Sequence, residues 1–471
     1  MNEGQWPIVA LGELIETIEA GSSFRCRETP PEDGEVGVAK VSAVSWGRYD
    51  EEESKTCLDP SRIIEDLLIR KGDFLISRAN TVELVGACVI AEQVRKQVML
   101  SDKTLRIVFK DPSLKPWVLH FLRSRAGRQQ IGALCTGNQE SMRNISQRSL
   151  RQIELPLAPP KERQVILAFI DEQLSRADAT SKTLRAIQVK LKQARASILK
   201  AAVEGMLVET EADLAAREGR GFESGTQLLA RHLEERCHRR AAGAQSSGRR
   251  KKGNPCQPDN PALHPLPNGW AIATIDQLAD GSAQCLTDGP FGSNLTSLHY
   301  KASGPRVIRL QNIGDGIFKD ERAHISEEHF ARLEKHAVNG GDIVIASLGD
   351  VLPRSCIIPL SLGLAIVKAD CIRFALDRTN FNAAYINYAL NSPPIRRSVA
   401  DLVHGVGRSR LGLKGIREIC IPLPPLSEQC RIVVEVDRRF SILDEIEDTV
   451  NASLRRCNKL RQSVLKRAFM H

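Results

Sequence analysis

The chain has 471 residues, of which 42% are hydrophobic, 4% aromatic and 26% charged, enough apolar content for packed cores and enough length for about three domains. Lys and Arg number 66 against 57 Asp and Glu, and the formal charge of +9 permits a nucleic-acid partner without requiring one. The 12 cysteines include no Cys-x-x-Cys pair, which excludes a disulfide-stapled scaffold; no signal peptide opens the chain and no run approaches the roughly 18 apolar residues of a membrane span, so a cytoplasmic protein without a membrane partner is expected.

In residues 1–155, short and partly alternating apolar runs predict strands over Val36–Val41, Phe74–Ile76, Cys88–Ala91 and Leu105–Phe109. Ser113, with Pro116 in the first turn, predicts a helix that turns Trp117, Phe121 and Leu122 inward. The stretch then closes on IELPLAPPKERQ, Ile153 to Gln164. Ile170, Ala177, Leu184, Leu191 and Ile198 recur every seven residues, with Ile187, Ala194 and Ala201 in the complementary places, and predict one long helix with a narrow apolar seam within 156–208. Residues 209–266 read as a basic linker, with a short helix over Leu228–Glu235 and a Ser-, Gly-, Pro- and Lys/Arg-rich disordered part over Gln245–Pro261.

Residues 267–421 and 422–471 then repeat the plan. Strands are predicted over Val307–Leu310, Ile343–Ala346 and Cys371–Ala375, and a helix near Phe381–Leu390. The segment ICIPLPPLSEQC, Ile419 to Cys430, aligns Pro422 with Pro156 and Glu428 with Glu162, an offset of 266 residues. That register continues without gaps through Ile166 and Ile432, Asp171 and Asp437, Asp178 and Asp444, and Arg195 and Arg461. Upstream, Trp6 answers Trp270, Lys40-Val41 answers Arg309-Leu310 and KGDFLIS answers GGDIVIA, with drifts in offset that mark loop insertions. A repeat of this length is a duplicated domain rather than a solenoid unit. The second seam reads Val436, Leu443, Val450, Cys457 and Val464, with Ile446 and Leu460 between. Each helix needs a coiled-coil partner and the economical one is the other, about 40 residues making a rod of roughly 60 Å. The expected fold class is α/β: two duplicated mixed α/β domains and two long helices forming an antiparallel coiled coil.

These features carry a resemblance. The junction IPLPPLSEQCRI, the segment GDFLISRANTVELVGACVI, the opening LPNGW and the loop GNQESMRNIS, in an order of features that the chain repeats twice, resemble over essentially the whole chain the specificity subunits of type I restriction-modification systems. Ala158 and Arg163 depart from the family's junction pattern, and the second half has HGVGRSRLGLK where the first has GNQESMRNIS. The resemblance implies two target-recognition domains, 1–155 and 267–421, each binding one half of a split, asymmetric site in double-stranded DNA, with spacer helices over 156–208 and 422–471 setting the unread gap. It also implies partners: two methyltransferase subunits that methylate adenine with S-adenosylmethionine, and ATP-driven restriction/translocase subunits. S-adenosylmethionine, ATP and Mg would sit on those partners and no cofactor in this chain. Duplicated heads can address two half-sites as a symmetric dimer does.

No residue constellation nominates a catalytic, cofactor or metal site. Asn391-Ser392-Pro393-Pro394 lacks the aromatic residue and glycine-rich loop of an amino-methyltransferase, and the ten His are not at metal spacing. Base reading favours Arg or Lys on guanine and Asn or Gln on adenine, whose donor and acceptor patterns match. The candidates, at strand ends and in loops, are Lys40, Arg78, Asn80, Gln139, Arg143 and Asn144 in the first head, and Arg309, Gln311, Asn312, Arg408, Arg410 and Lys414 in the second. The competing reading is a coiled-coil scaffold with two protein-binding heads, separated from the first by the salt dependence of duplex binding.

Overall fold

The computed structural model describes residues 6–45, 47–139, 142–243, 265–282, 284–403 and 409–469. The chain forms two compact units, Met1–Ala186 with Val450–His471, and Ile187–Thr449.

The first unit opens with β1 (Ile8–Ala10), α1 (Leu11–Leu14), β2 (Ile15–Ala20), β3 (Cys26–Arg27), β4 (Val36–Ala39) and β5 (Ser54–Cys57). It continues through β6 (Phe74–Ser77), β7 (Ala79–Asn80), β8 (Cys88–Ile90), β9 (Gln97–Met99) and β10 (Thr104–Phe109). Then come α2 (Lys115–Arg123), α3 (Arg125–Leu134), β11 (Thr136–Gln139), β12 (Met142–Asn144), α4 (Gln147–Arg151), β13 (Glu154–Pro156) and the start of α5 (Pro160–Val203). The central antiparallel sheet runs β2-β10-β6-β8. All four residues of β6 are buried because the sheet is covered on both faces. Alternation along the strand sends Phe74 and Ile76 into a core with Trp117, Phe121 and Leu122 of α2, and Leu75 into another with Ala39, Val89 and Val98. That second core lies under the sheet β3-β5-β4-β9, whose β4–β9 ladder is parallel. The helix expected to open at Ser113 begins two residues later, because Asp111 caps a separate short turn over Pro112–Leu114.

The second unit contains α6 (Glu211–Glu218), α7 (Gly225–Gly243), β14 (Ala271–Thr274), α8 (Ile275–Leu278), β15 (Leu286–Thr287), β16 (Lys301–Ile308) and α9 (Glu327–Arg332). β17 (Ala337–Val338), β18 (Ile343–Ala346), β19 (Arg354–Ile357), β20 (Ala365–Val367) and β21 (Cys371–Phe374) follow, then α10 (Ala383–Leu390), α11 (Pro393–Ser398), α12 (Leu413–Arg417), β22 (Cys420–Leu423) and the start of α13 (Leu426–Phe469), whose residues from Val450 on belong to the first unit. Its central sheet is β15-β21-β18-β19, and β16–β20 supplies the parallel ladder. β18 is again wholly buried, with Ile343 and Ile345 in one core and Val344 and Ala346 in the other.

Several contacts recur in both units and explain the repeated motifs. Gly72 and Gly341 both adopt φ +89°, the left-handed turn before the buried strand. Asp73 and Asp342 follow, and they bind Arg106 at 2.9 Å and Arg373 at 2.7 Å on the adjacent strand. The indole N–H of Trp6 donates to Glu162, and that of Trp270 to Glu428, each at 3.0 Å. Trp117 donates to the Pro156 carbonyl at 2.8 Å, and the Tyr385 hydroxyl to the Pro422 carbonyl at 2.7 Å. His120 meets Asp171 where Tyr388 meets Asp437.

Within each unit, parts of α5 and α13 pack antiparallel. In the first, Ile170 packs with Val464, Leu465 and Ala468, and Asp178 pairs with Arg461. In the second, Arg195 pairs with Asp444 and Glu447, while Leu199, Ala202 and Val203 share a core with Ile432 and Val436. Of the expected a-type positions, Ile170, Ala177, Leu191, Val436, Val450, Cys457 and Val464 are buried, and Leu184, Ile198 and Leu443 are half-buried. The complementary positions on α13 differ from expectation. Ile446 and Leu460 are 41% and 47% exposed, and the seam uses residues four after each a-type position, Glu447, Leu454, Arg461 and Ala468. Glu447 and Arg461 there pair with Arg195 and Asp178 of α5.

Of residues 209–266, 211–243 hold α6 and α7. They are held to the second unit by Glu211, whose N–H donates to Glu428 and whose carboxylate pairs with Arg431 at 2.6 Å, and by the fully buried Leu228 and His232. The expected short helix at Leu228–Glu235 is part of the longer α7. The stretch Gln245–Pro261, expected to be disordered, lies outside the described residues. Among the described residues no helix is long and apolar enough to cross a membrane.

Candidate nucleic-acid interface

After β6 the first-unit chain passes through Arg78 into β7, which pairs with β12 and through it with β11. Two backbone bonds tie this ribbon to the core: the Arg78 N–H donates to Lys103 at 2.7 Å, and the N–H of fully buried Ile145 donates to Arg78 at 2.9 Å. Gly137 takes φ +113°, and a Cβ there would stand 2.8 Å from the Met142 carbonyl oxygen, so the close strand approach dictates the glycine. Arg143 lies opposite Asn80, and Asn144 opposite Ala79. Four sequence candidates, Arg78, Asn80, Arg143 and Asn144, therefore meet on one ribbon, with Arg78 and Asn144 exposed. Asn80 uses its side-chain oxygen to accept from the Thr81 N–H at 2.9 Å. Gln139 pairs with Met142 through its backbone, and its side chain is outside the described residues. Lys40 is not on the ribbon; it follows β4 and donates to the Glu28 carbonyl at 3.3 Å.

In the second unit, residues 409–411 run antiparallel to 347–349. Arg410 lies opposite Leu348, and the N–H of buried Leu411 donates to Ser347 at 2.8 Å. Arg410 pairs with Asp370 at 2.5 Å and lies 5.6 Å from the Phe291 ring centroid. Asp370 has a left-handed φ of +67°. Its N–H donates to Asp288 at 3.1 Å, and burial pushes the Asp288 carboxyl up to about 6.

The other second-unit candidates are dispersed. Arg309 donates to the carbonyls of Glu321 and Arg322 at 3.4 Å and lies over Tyr300 at 5.9 Å. Gln311, with its amide oxygen turned toward it, accepts from the Arg309 guanidinium at 3.0 and 3.2 Å. Lys414 is exposed on α12. Arg408 is outside the described residues. Asn312 is a correction: it is fully buried, its amide nitrogen donates to Lys319 and Glu321 at 2.8 and 2.7 Å, and its oxygen accepts from the Arg309 N–H. That amide folds a loop and has no edge left for a base. Sequence reasoning passed over Asp288, Phe291 and Asp370, because a search for cationic and amide side chains is blind to the groups that orient them.

Amide and guanidinium groups exposed on strands anchored to a rigid sheet are chemically suited to base edges, and a two-stranded unit such as the β11–β12 pair is of the size the major groove admits. Among the described residues no group of three or more His, Cys, Asp or Glu side chains is placed to hold a metal ion.

Residues 306–456 match the family described as the type I restriction modification DNA specificity domain. The chain is 24% identical over 331 residues to the type I restriction enzyme EcoBI specificity subunit of Escherichia coli, covering 70% of this chain and 60% of that protein. It is 24% identical over 363 residues to the EcoKI specificity subunit of Escherichia coli strain K12, covering 75% of this chain and 64% of that one. The matches thus span under two thirds of these relatives' length. A solved chain from work on complex assembly and conformational transition of the type I R-M system shares the fold, with a TM-score of 0.57 at 15% identity, covering 99% of this chain and 97% of that one. Residues 306–456 thus carry the specificity domain, the chain as a whole is similar to type I restriction enzyme specificity subunits over most of its length, and it shares the fold of a solved type I R-M chain.

Proposed function

We propose that this chain is the non-catalytic, DNA-recognising subunit of a cytoplasmic type I restriction-modification enzyme. Each head, 1–155 and 267–421, reads one half of a split, asymmetric site, and the chain docks two methyltransferase subunits and the restriction subunits through its helical segments, 156–208 and 422–471. The observation that carries this reading is the duplication of the recognition surface along with the core: Asn144 and Arg410 occupy the same place beside a strand end, 266 residues apart, in the register that relates the two junctions. A protein that must read two different half-sites needs one scaffold twice with different side chains at equivalent positions, and that is the pattern seen. S-adenosylmethionine, ATP and Mg are assigned to the partner subunits.

Co-expression with the cognate methyltransferase subunit in a methylation-free host, followed by genome-wide mapping of methylated adenine, tests this. A split motif that disappears when this chain is omitted is expected. A soluble, stable complex that leaves no motif would favour a protein-binding scaffold instead.

A further inference from the structure

The ribbon contacts give a point-by-point correspondence between the two heads. Ile145 donates to Arg78 as Leu411 donates to Ser347, and Arg78 donates to Lys103 as Ser347 donates to Asp370. Asn144 therefore corresponds to Arg410, and Lys103 to Asp370. The pairs differ chemically in a concerted way. At these two positions the first head has a neutral amide and a lysine, both exposed, and the second sets a guanidinium against a carboxylate.

Arg410 is 48% exposed by side chain, yet fixed on two sides: the Asp370 carboxylate at 2.5 Å and the face of the exposed Phe291 ring. Asp370 is itself fixed, by its left-handed backbone and by the bond from its N–H to Asp288. An arginine free in solvent loses rotamer entropy when it binds a base; one already held by an acid and a ring loses less. A guanidinium offers two parallel donors to O6 and N7 of guanine, and a carboxamide offers a donor and an acceptor to N6 and N7 of adenine.

We propose that Arg410 reads a guanine in the half-site of the second head, that Asp370 and Phe291 are its positioning residues, and that Asn144 reads an adenine at the corresponding position of the other half-site. This rests on the DNA-recognition function proposed above. Asp370 acts through Arg410 and does not itself touch the base.

The test uses the assembled methyltransferase and its mapped motif. Arg410→Ala should relax one guanine in one half-site, leaving the other half and the spacer unchanged; Asn144→Ala should relax one adenine in the opposite half. Replacing that guanine by 7-deazaguanine, which lacks N7 but keeps O6, in a duplex should weaken wild-type binding by part of the about 5- to 150-fold that loss of the whole bidentate pair would cost. The same replacement should leave the affinity of the Arg410→Ala complex unchanged. Asp370→Asn keeps the left-handed backbone, which Asn tolerates, and should lower discrimination at that guanine without weakening binding to duplexes already substituted there. Should Arg410→Ala fail to assemble, Asp370→Asn decides by the same comparison. A wild-type complex with no split motif overturns the function itself. A split motif whose every base survives Arg410→Ala, or relaxation at a base other than guanine, overturns only this assignment.

Discussion

Equivalent residues in the two units do different energetic work. Glu428 is fully buried and accepts from the Trp270 indole and the Glu211 N–H, whereas Glu162 is exposed and accepts from Trp6. Glu428→Ala should therefore cost about 1–3 kcal/mol by stranding buried donors, while Glu162→Ala should cost about 0.5 kcal/mol or less. Urea unfolding of both variants checks the contrast, and equal losses would contradict it. His120 differs from its counterpart Tyr388 in being able to titrate near neutrality. Burial pushes its imidazole below the ordinary 6.5, Asp171 pulls it back and Arg123 adds to the depression. With the folded value depressed, the unfolded chain takes up a proton that the native chain resists, so this contribution is present above about pH 6.5 and is lost as pH falls. His120→Tyr, the residue type of the second unit, should shrink the fall in unfolding midpoint between about pH 7.5 and about pH 5.5. It should not abolish that fall, because the buried His232 is depressed in the same direction. An undiminished fall in the variant would remove His120 from the account.

At the scale of elements, β6 and β18 were legible as buried strands because four consecutive small or apolar residues follow a Gly-Asp turn. The long helices were legible from their seven-residue period, but not which neighbours complete the seam. A heptad can close at the third or the fourth residue, and the choice depends on the facing helix. On α13 the fourth position wins, with Arg461 and Glu447 meeting partners on α5. Ile170→Ala, in a fully buried position, should cost about 2–5 kcal/mol. Leu460→Ala, in the same unit and 47% exposed, should cost less than about 1 kcal/mol. Similar losses in thermal or urea unfolding would restore the seam to the third position.

For the molecule as a whole, the excess of 66 basic over 57 acidic residues matters through where the basic side chains stand. Arg78, exposed beside the first ribbon, is a candidate for holding a phosphate or a base edge. Arg78→Glu should weaken duplex binding by the assembled methyltransferase and lower the slope of log affinity against log salt by about 1 if the contact is to phosphate. Unchanged affinity and slope would strike it from the interface. The duplication itself was readable because both copies keep the residues that close each head, the tryptophan and glutamate and the proline carbonyl with its aromatic donor.

The amino-acid sequence by itself determined the duplicated plan, the two heptad helices, the buried strands and the loops that hold most of the recognition candidates. These are written in local periodicity and in residues whose backbone needs are their own, such as Gly72 and Gly341. Only the tertiary structure decided that Asn312 is a buried loop brace, that residues 211–243 pack as helices on the second unit, and that Asp370 and Phe291 clasp Arg410. Those outcomes depend on groups far apart in the chain, and no local pattern encodes them, because each residue's preference is satisfied equally well alone in water.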